Sequence, residues 1–143
     1  MLIFITSGIL SFMIFFPIVV ATSVFKVLDE KQSSKFLRIF FPKYYLFGLV
    51  LSMFGLILSI IQNHTLAISV FVFLIISFLF SRQILMPIIN KAKDEKKEEK
   101  FNKLHKFSVF INFVQMVLCA LLLFFLLKKT LILSICSKQP SIS

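Results

Sequence analysis

The sequence predicts an all-α fold: a polytopic membrane protein built as a bundle of four transmembrane helices, with both termini outside. Three observations predict it. Apolar residues make up 59% of the 143-residue chain and charged residues only 15%, whereas soluble domains run at about 45–50% and about 25%. The charges gather in a few stretches and leave long segments with none. Those segments are apolar on all sides, without the alternation over about 10 residues that marks barrel strands. With 20 Phe, 6 Asp and Glu, 3 Gly and 4 Pro, a soluble surface, a collagen and a disordered tail are excluded for most of the chain.

Residues 2–25 carry no charge and match one crossing, which takes about 20 apolar residues. No basic segment precedes them, and the run exceeds the about 7–15 residues of a signal-peptide core. They are read as a retained first span. Residues 44–81 are also free of Lys, Arg, Asp and Glu. As one helix they would reach about 57 Å, nearly twice the hydrocarbon core of about 30 Å. The run breaks at Gln62-Asn63-His64, its only consecutive strongly polar residues. This yields a second span at 44–61 and a third from 65, which passes Arg82 and the mostly apolar residues after it to 89. A fourth span covers 107–127. The whole chain, 1–143, reads as a single membrane domain, with loops at 26–43 and 90–106 and a C-terminal tail at 128–143.

The cations set the orientation. The first loop, with Lys43, holds five Lys or Arg; the third, with Arg82, holds eight; the tail holds three; the N-terminus and the 62–65 hairpin hold none. The positive-inside rule places the first and third loops in the cytoplasm. The net charge of +10 is therefore mainly a topology signal. It favours contact with anionic lipid headgroups. It does not indicate nucleic acid, which needs a basic face on a folded motif.

Between the spans, Val27, Leu28, Phe36, Leu37, Ile39, Phe40 and Phe41 alternate with cations. This reads as an amphipathic connector lying in the membrane interface, with Pro42 marking the start of the second span. Lys91–Lys100 is a mixed charge run whose i,i+3 pairs, Asp94 with Lys97 and Lys96 with Glu99, support a solvated helix. Cys119 falls in the fourth span and Cys136 in the tail, so they do not make a disulfide framework.

Polar groups inside a membrane segment are costly and informative. His105, Ser108, Asn112, Gln115 and Cys119 recur at spacings of 3, 4, 3 and 4. On a helix they form one stripe about 80° wide. It must face other helices or a wet cavity, because amides cannot stay unpaired in hydrocarbon. Interhelical packing and a ligand- or ion-lining role both remain open. Gly48, Ser52, Gly55 and Ser59 form a small-residue stripe for close helix packing, also available to a homodimer. Pro17 should kink the first helix or widen its neighbourhood. Arg82 lies a turn or two inside the third helix. It either snorkels outward or turns inward to pair with Asp94 or the His105–Asn112 stripe.

No Ser/His/Asp set, Gly-rich phosphate loop or paired carboxylates within a span are present, so no catalytic residues are assigned. His64 and His105 fall on opposite sides of the membrane and cannot share a metal or a haem. Met116 and Cys119, three apart, could offer sulfur to Cu(I) but read as core filler. No cofactor is expected.

Several of these residues resemble a family of small four-helix membrane proteins of unknown function that includes vertebrate transmembrane protein 205. The resemblance rests on Phe41-Pro42-x-Tyr44-Tyr45, on Arg82 with Pro87, Asn90 and Asp94, and most densely on Phe101-x-x-Leu104-His105-x-x-Ser108 followed by Asn112 and Gln115. It covers roughly residues 8–127. It implies four helices with both central basic loops on one side, and no settled activity. The Lys96–Lys100 segment and the LILSIC tail have no counterpart in it.

The leading expectation is a protein that binds or handles a small molecule or ion in a cytoplasm-facing polar pocket between helices three and four. Arg82 would hold an anionic group or orient Asn112 and Gln115. His105 would stand at the mouth, histidine being the side chain that changes charge near neutral pH. Four short helices make a small cavity, so a homodimer or larger complex is expected. A second expectation is an accessory or assembly subunit whose stripe simply packs. A third is a haem-dependent oxidoreductase with His105 as sole axial ligand. A bacterial inner membrane is the default location and an organelle the alternative.

Overall fold

The computed structural model describes residues 1–136, the side chains of Leu133 and Cys136 excepted. Among them are helices and no strand. The chain forms four rods, each long and apolar enough to cross a membrane. The first is α1 (Leu2–Phe15), a π-helical turn over Phe16–Ala21, and α2 (Thr22–Val27). The second is one helix, α3 (Glu30–Ile61). The third is α4 (Thr65–Phe80), a π-helical turn over Ser81–Leu85, and α5 (Met86–Asp94). The fourth is α6 (Glu98–Cys136).

Three short turns join the rods. Asp29 caps the start of α3 by accepting from the Gln32 amide at 2.7 Å, which satisfies a donor that the first helical turn leaves free. The other two turns close alike. Asn63 and Lys96 take left-handed backbone, at φ 49° and 53°. The next amide reaches back to close each helix end, His64 to Ser59 O at 2.9 Å and Lys97 to Ala92 O at 3.0 Å. This is the Schellman closure, which usually places Gly at the left-handed position.

The rods enclose a core of Ile9, Met13, Phe71, Leu74, Phe78, Cys119 and Leu122, none more than 1% exposed. Outer faces carry large exposed apolar side chains on every rod, among them Phe4, Phe54, Phe73 and Phe110. An apolar exterior around an equally apolar interior is the pattern of a lipid-facing helix bundle.

Gly48 and Gly55 set the approach of α3 to α4. A methyl group at Gly48 would lie 2.6 Å from Phe78 Cζ, and one at Gly55 2.3 Å from Phe71 Cε1. Ser52 and Ser59, between them, are fully buried and donate to the carbonyls of Gly48 and Gly55 at 2.7 Å. The small-residue stripe is therefore occupied within the chain. It does not offer a surface to a second copy, because the Phe71 and Phe78 rings already fill it.

The stretch 26–43 differs from its expected form. It is not a separate connector: from Glu30 onward it is the first part of α3, and Pro42 lies inside that helix. A proline there removes the bond to the carbonyl four residues back, at Arg38. Aromatic packing offsets that loss. Phe16 stacks on Phe40 at 4.7 Å and meets Phe41 and Tyr44 at 5.2 Å each. Phe40 and Phe41 of this stretch thus turn to the first rod, while Val27, Phe36 and Ile39 stay exposed. Likewise 90–106 is almost wholly helical, interrupted only at Glu95–Lys97. The tail expected from 128 continues α6 to Cys136, and 137–143, with Lys138, lie outside the described residues.

Pro17 and Pro87 sit at the π-helical turns. Pro17 is inside the first and Pro87 follows the second by two residues. A proline ring crowds the carbonyl of residue i−4, and a wider turn relieves that crowding. Turns of this kind are frequent at functional sites.

Candidate functional site

The first and third rods each lie against both α3 and α6. This leaves α3 and α6 facing across the diagonal of the bundle. Two tyrosines of α3 span that gap. Tyr44 Oη donates to Asn112 Oδ1 at 3.3 Å, and Tyr45 Oη pairs with Ser108 Oγ at 3.3 Å. Both rings are buried, so each hydroxyl needs a partner, and the polar stripe of α6 supplies one.

Around this shelf and toward the end of the bundle that carries the basic turns, the space opens into a cavity of about 740 Å³. Pockets that hold small molecules run from about 300 to 1,000 Å³. All four rods line it. The first contributes Phe16, Pro17, Ala21 and Phe25, from its π-helical turn and the helix beyond. The second gives Glu30, Ser33, Ser34, Leu37, Arg38, Phe41 and the two tyrosines. Met86, Ile89, Asn90 and Lys93 come from α5. From α6 come Phe101, His105, Ser108, Val109, Asn112, Phe113 and Met116. The inner walls are thus mainly aromatic and aliphatic, and the charged groups stand at the outer end.

That end is fastened by ion pairs. Arg38 grips Asp94 with both guanidinium nitrogens, Nη1 to Oδ2 at 3.1 Å and Nη2 to Oδ1. This two-pronged geometry is the strong form of a carboxylate contact. Lys93 is held more loosely. Its Nζ lies 4.0 Å from Glu30, whose side chain is 93% exposed, and 5.6 Å from the centre of the Phe101 ring. Phe101 in turn stacks on His105 at 5.9 Å. In the turn that follows α5, the Lys97 ammonium 2.7 Å away holds Glu95 below the usual carboxylate range.

The expected site residues divide into three groups. Asn90, His105, Ser108 and Asn112 line the cavity together, and Tyr44, Phe41 and Phe101 join them. Asp94 stands beside it through Arg38. Arg82 is elsewhere: it is half-buried, does not line the cavity, and makes no ion pair among the described residues. The arginine at the cavity is Arg38. Arg82 lies in the π-helical turn, two to three helical turns from Asn90 and Lys93, so its reach does not extend to their end of α5. Gln115 is 1% exposed but faces the core and not the cavity, and its Nε2 has no hydrogen-bond partner among the described residues. Leu104 and Pro42 are half-buried packing residues, and Pro87 is exposed. The pocket therefore lies among all four rods and not between the third and fourth alone.

Arg38, Lys93, Ser34 and Tyr45 were not among the expected site residues. Tyr45 had a readable signal, a polar tip in an apolar span. The others sat in stretches that read as surface connector.

The sequence pattern of a domain of unknown function, DUF4149, matches residues 4–98. The chain belongs to that family. No curated protein and no solved structure matches it. The DUF4149 match covers the first three rods and so the α1–α5 walls of the cavity. It ends before Phe101, and His105, Ser108 and Asn112 lie beyond it.

Proposed function

We propose that this DUF4149 chain is an integral membrane protein that binds a small molecule in the cavity among its four rods. The observation that carries the reading is the cavity itself, about 740 Å³ and walled by every rod. A space of this size, open on one side past Val109 and Phe113, has room for a small molecule. The first π-helical turn brings Phe16, Pro17 and Ala21 to its wall, and the side chains of Asn90 and Ser34 line it without a hydrogen bond to any described residue. The charge bias of the turns puts this basic end in the cytoplasm and both termini outside. A bacterial inner membrane, with anionic headgroups around the basic end, is the setting proposed. Kinship with the group that includes vertebrate transmembrane protein 205 is part of the same proposal and rests on the Phe41–Tyr45, Arg82–Asp94 and Phe101–Gln115 blocks.

A second reading has its own observation. The Tyr44–Asn112 and Tyr45–Ser108 bonds use part of the stripe for packing, as an accessory subunit would. Native mass spectrometry of the protein released gently from its membrane separates the two. A retained small molecule, lost when Val109→Trp fills the cavity, supports binding. A bare chain held by another protein supports the accessory role.

A further inference from the structure

The cavity has two chemically distinct ends. Its outer end presents donors that have little else to bind. Lys93 has, among the described residues, the 4.0 Å contact with an outward-leaning Glu30 and the Phe101 ring 5.6 Å away. Asn90, one turn further in on the same face of α5, has no hydrogen bond among the described residues, and neither has Ser34 across the gap on α3. His105 contributes a ring whose recorded contact is the stack on Phe101. Asp94, the nearest acid on α5, is already held by Arg38. The inner end offers Phe16, Phe41, Met86, Ile89 and Met116, with no charge, and Phe113, 60% exposed, stands at its open side. The lining spans Phe101 to Met116 along α6, a length of about 22 Å.

A cluster of unpaired donors calls for an acceptor-rich group, and a loosely held ammonium favours that group as an anion. An uncharged aromatic and aliphatic tube beyond it calls for a hydrocarbon chain. We infer that the cavity binds an acyl amphiphile with its oxyanion head at Lys93, Asn90 and Ser34 and its chain against Phe41, Phe113 and Met116. This deepens the binding reading above and rests on it. The oxyanion is the carboxylate of a free fatty acid or the phosphate of a bilayer lipid, which present the same chemistry to these donors.

The test uses the full-length protein in phosphatidylcholine nanodiscs. A fluorescent polyene fatty acid is the reporter. Palmitic acid, hexadecanol and lysophosphatidic acid are the competitors. The expected result is that palmitic acid or lysophosphatidic acid competes about tenfold more strongly than hexadecanol, the effect of one charge-assisted hydrogen bond. Lys93→Gln should bring the acids toward parity with the alcohol, whereas Lys91→Gln, on the exposed side of the same helix, should not. Stronger competition by lysophosphatidic acid assigns the head to a bilayer lipid, and stronger competition by palmitic acid to a free fatty acid. Equal competition by hexadecanol, with Val109→Trp still blocking the reporter, overturns the oxyanion head and leaves the cavity reading standing. Failure of the reporter to bind in a Val109→Trp-sensitive way, with other small molecules still retained, overturns the acyl chain. Failure of every small molecule overturns the binding reading itself.

Discussion

Arg38 on α3 and Asp94 at the end of α5 form a two-pronged ion pair that ties the second rod to the third beside the cavity. The two residues are 56 positions apart in sequence, and α3 continues unbroken from Arg38 through Pro42. Their side chains stay 36% and 60% exposed, so water and salt screen the attraction. Arg38→Gln and Asp94→Asn should each lower the unfolding temperature in detergent slightly. The double variant should fall no further than either single one, because the same contact is lost. High salt should narrow the gap to wild type. Additive losses in the double variant would count against the pair.

The glycines of α3 predict a graded response. Gly48→Ala and Gly55→Ala each push a methyl into a buried ring, and overpacking of this kind costs about 1–3 kcal/mol. Gly55→Ala should be the worse, since its approach is closer. Phe71→Leu should recover part of that loss. Gly8, with nothing within 4 Å of an added methyl, should accept Ala without loss. Thermal unfolding of the set in detergent checks the order.

The two left-handed turns should respond in opposite directions. Lys96 pays the left-handed conformation that L side chains disfavour by about 1–2 kcal/mol, so Lys96→Gly should stabilise the protein by about 1 kcal/mol. Asn63, which tolerates that backbone better, should lose stability as Asn63→Val. Equal effects of both changes would contradict the Schellman geometry.

Gln115 carries a buried amide nitrogen without a partner. An orphaned donor of this kind costs about 1–3 kcal/mol. Gln115→Met keeps the volume and should raise stability by an amount in that range. A loss instead would reveal a partner, such as a water, at Nε2.

Tyr44→Phe and Tyr45→Phe each remove one bond between α3 and α6. Interhelical bonds in membrane proteins average about 0.6 kcal/mol, so each change should cost about that much. If both bonds form the floor of the cavity, the double variant should also alter ligand retention in native mass spectrometry.

The four long apolar rods were legible because charge and apolar length report them directly, but of the three turns only the one at Gln62-Asn63-His64 was placed. The break at Gln62-Asn63-His64 falls where the run is too long for one crossing, and α4 starts at Thr65 as that arithmetic requires. The inward side of α6 was legible from spacing alone, since Asn112 and Gln115 cannot face lipid. What spacing does not carry is the rotation of one helix against another. Arg82 and Arg38 are both single cations near an apolar segment, and only the packed bundle turns Arg38 and not Arg82 toward the cavity. The continuity of α3 was hidden for a related reason. Pro42 disfavours a helix locally, and the contacts that override it come from Phe16, far away in sequence. The π-helical turns leave no periodic trace, although Pro17 and Pro87 mark their places.

A photo-crosslinking amino acid at position 116, whose half-buried Met116 side chain lines the cavity, tests the central claim in the native membrane. Irradiated cells followed by intact-mass measurement of the purified chain should show a small-molecule adduct that disappears when Val109→Trp fills the cavity. A chain cross-linked only to its own helices, or only to another protein, would contradict a ligand-binding cavity.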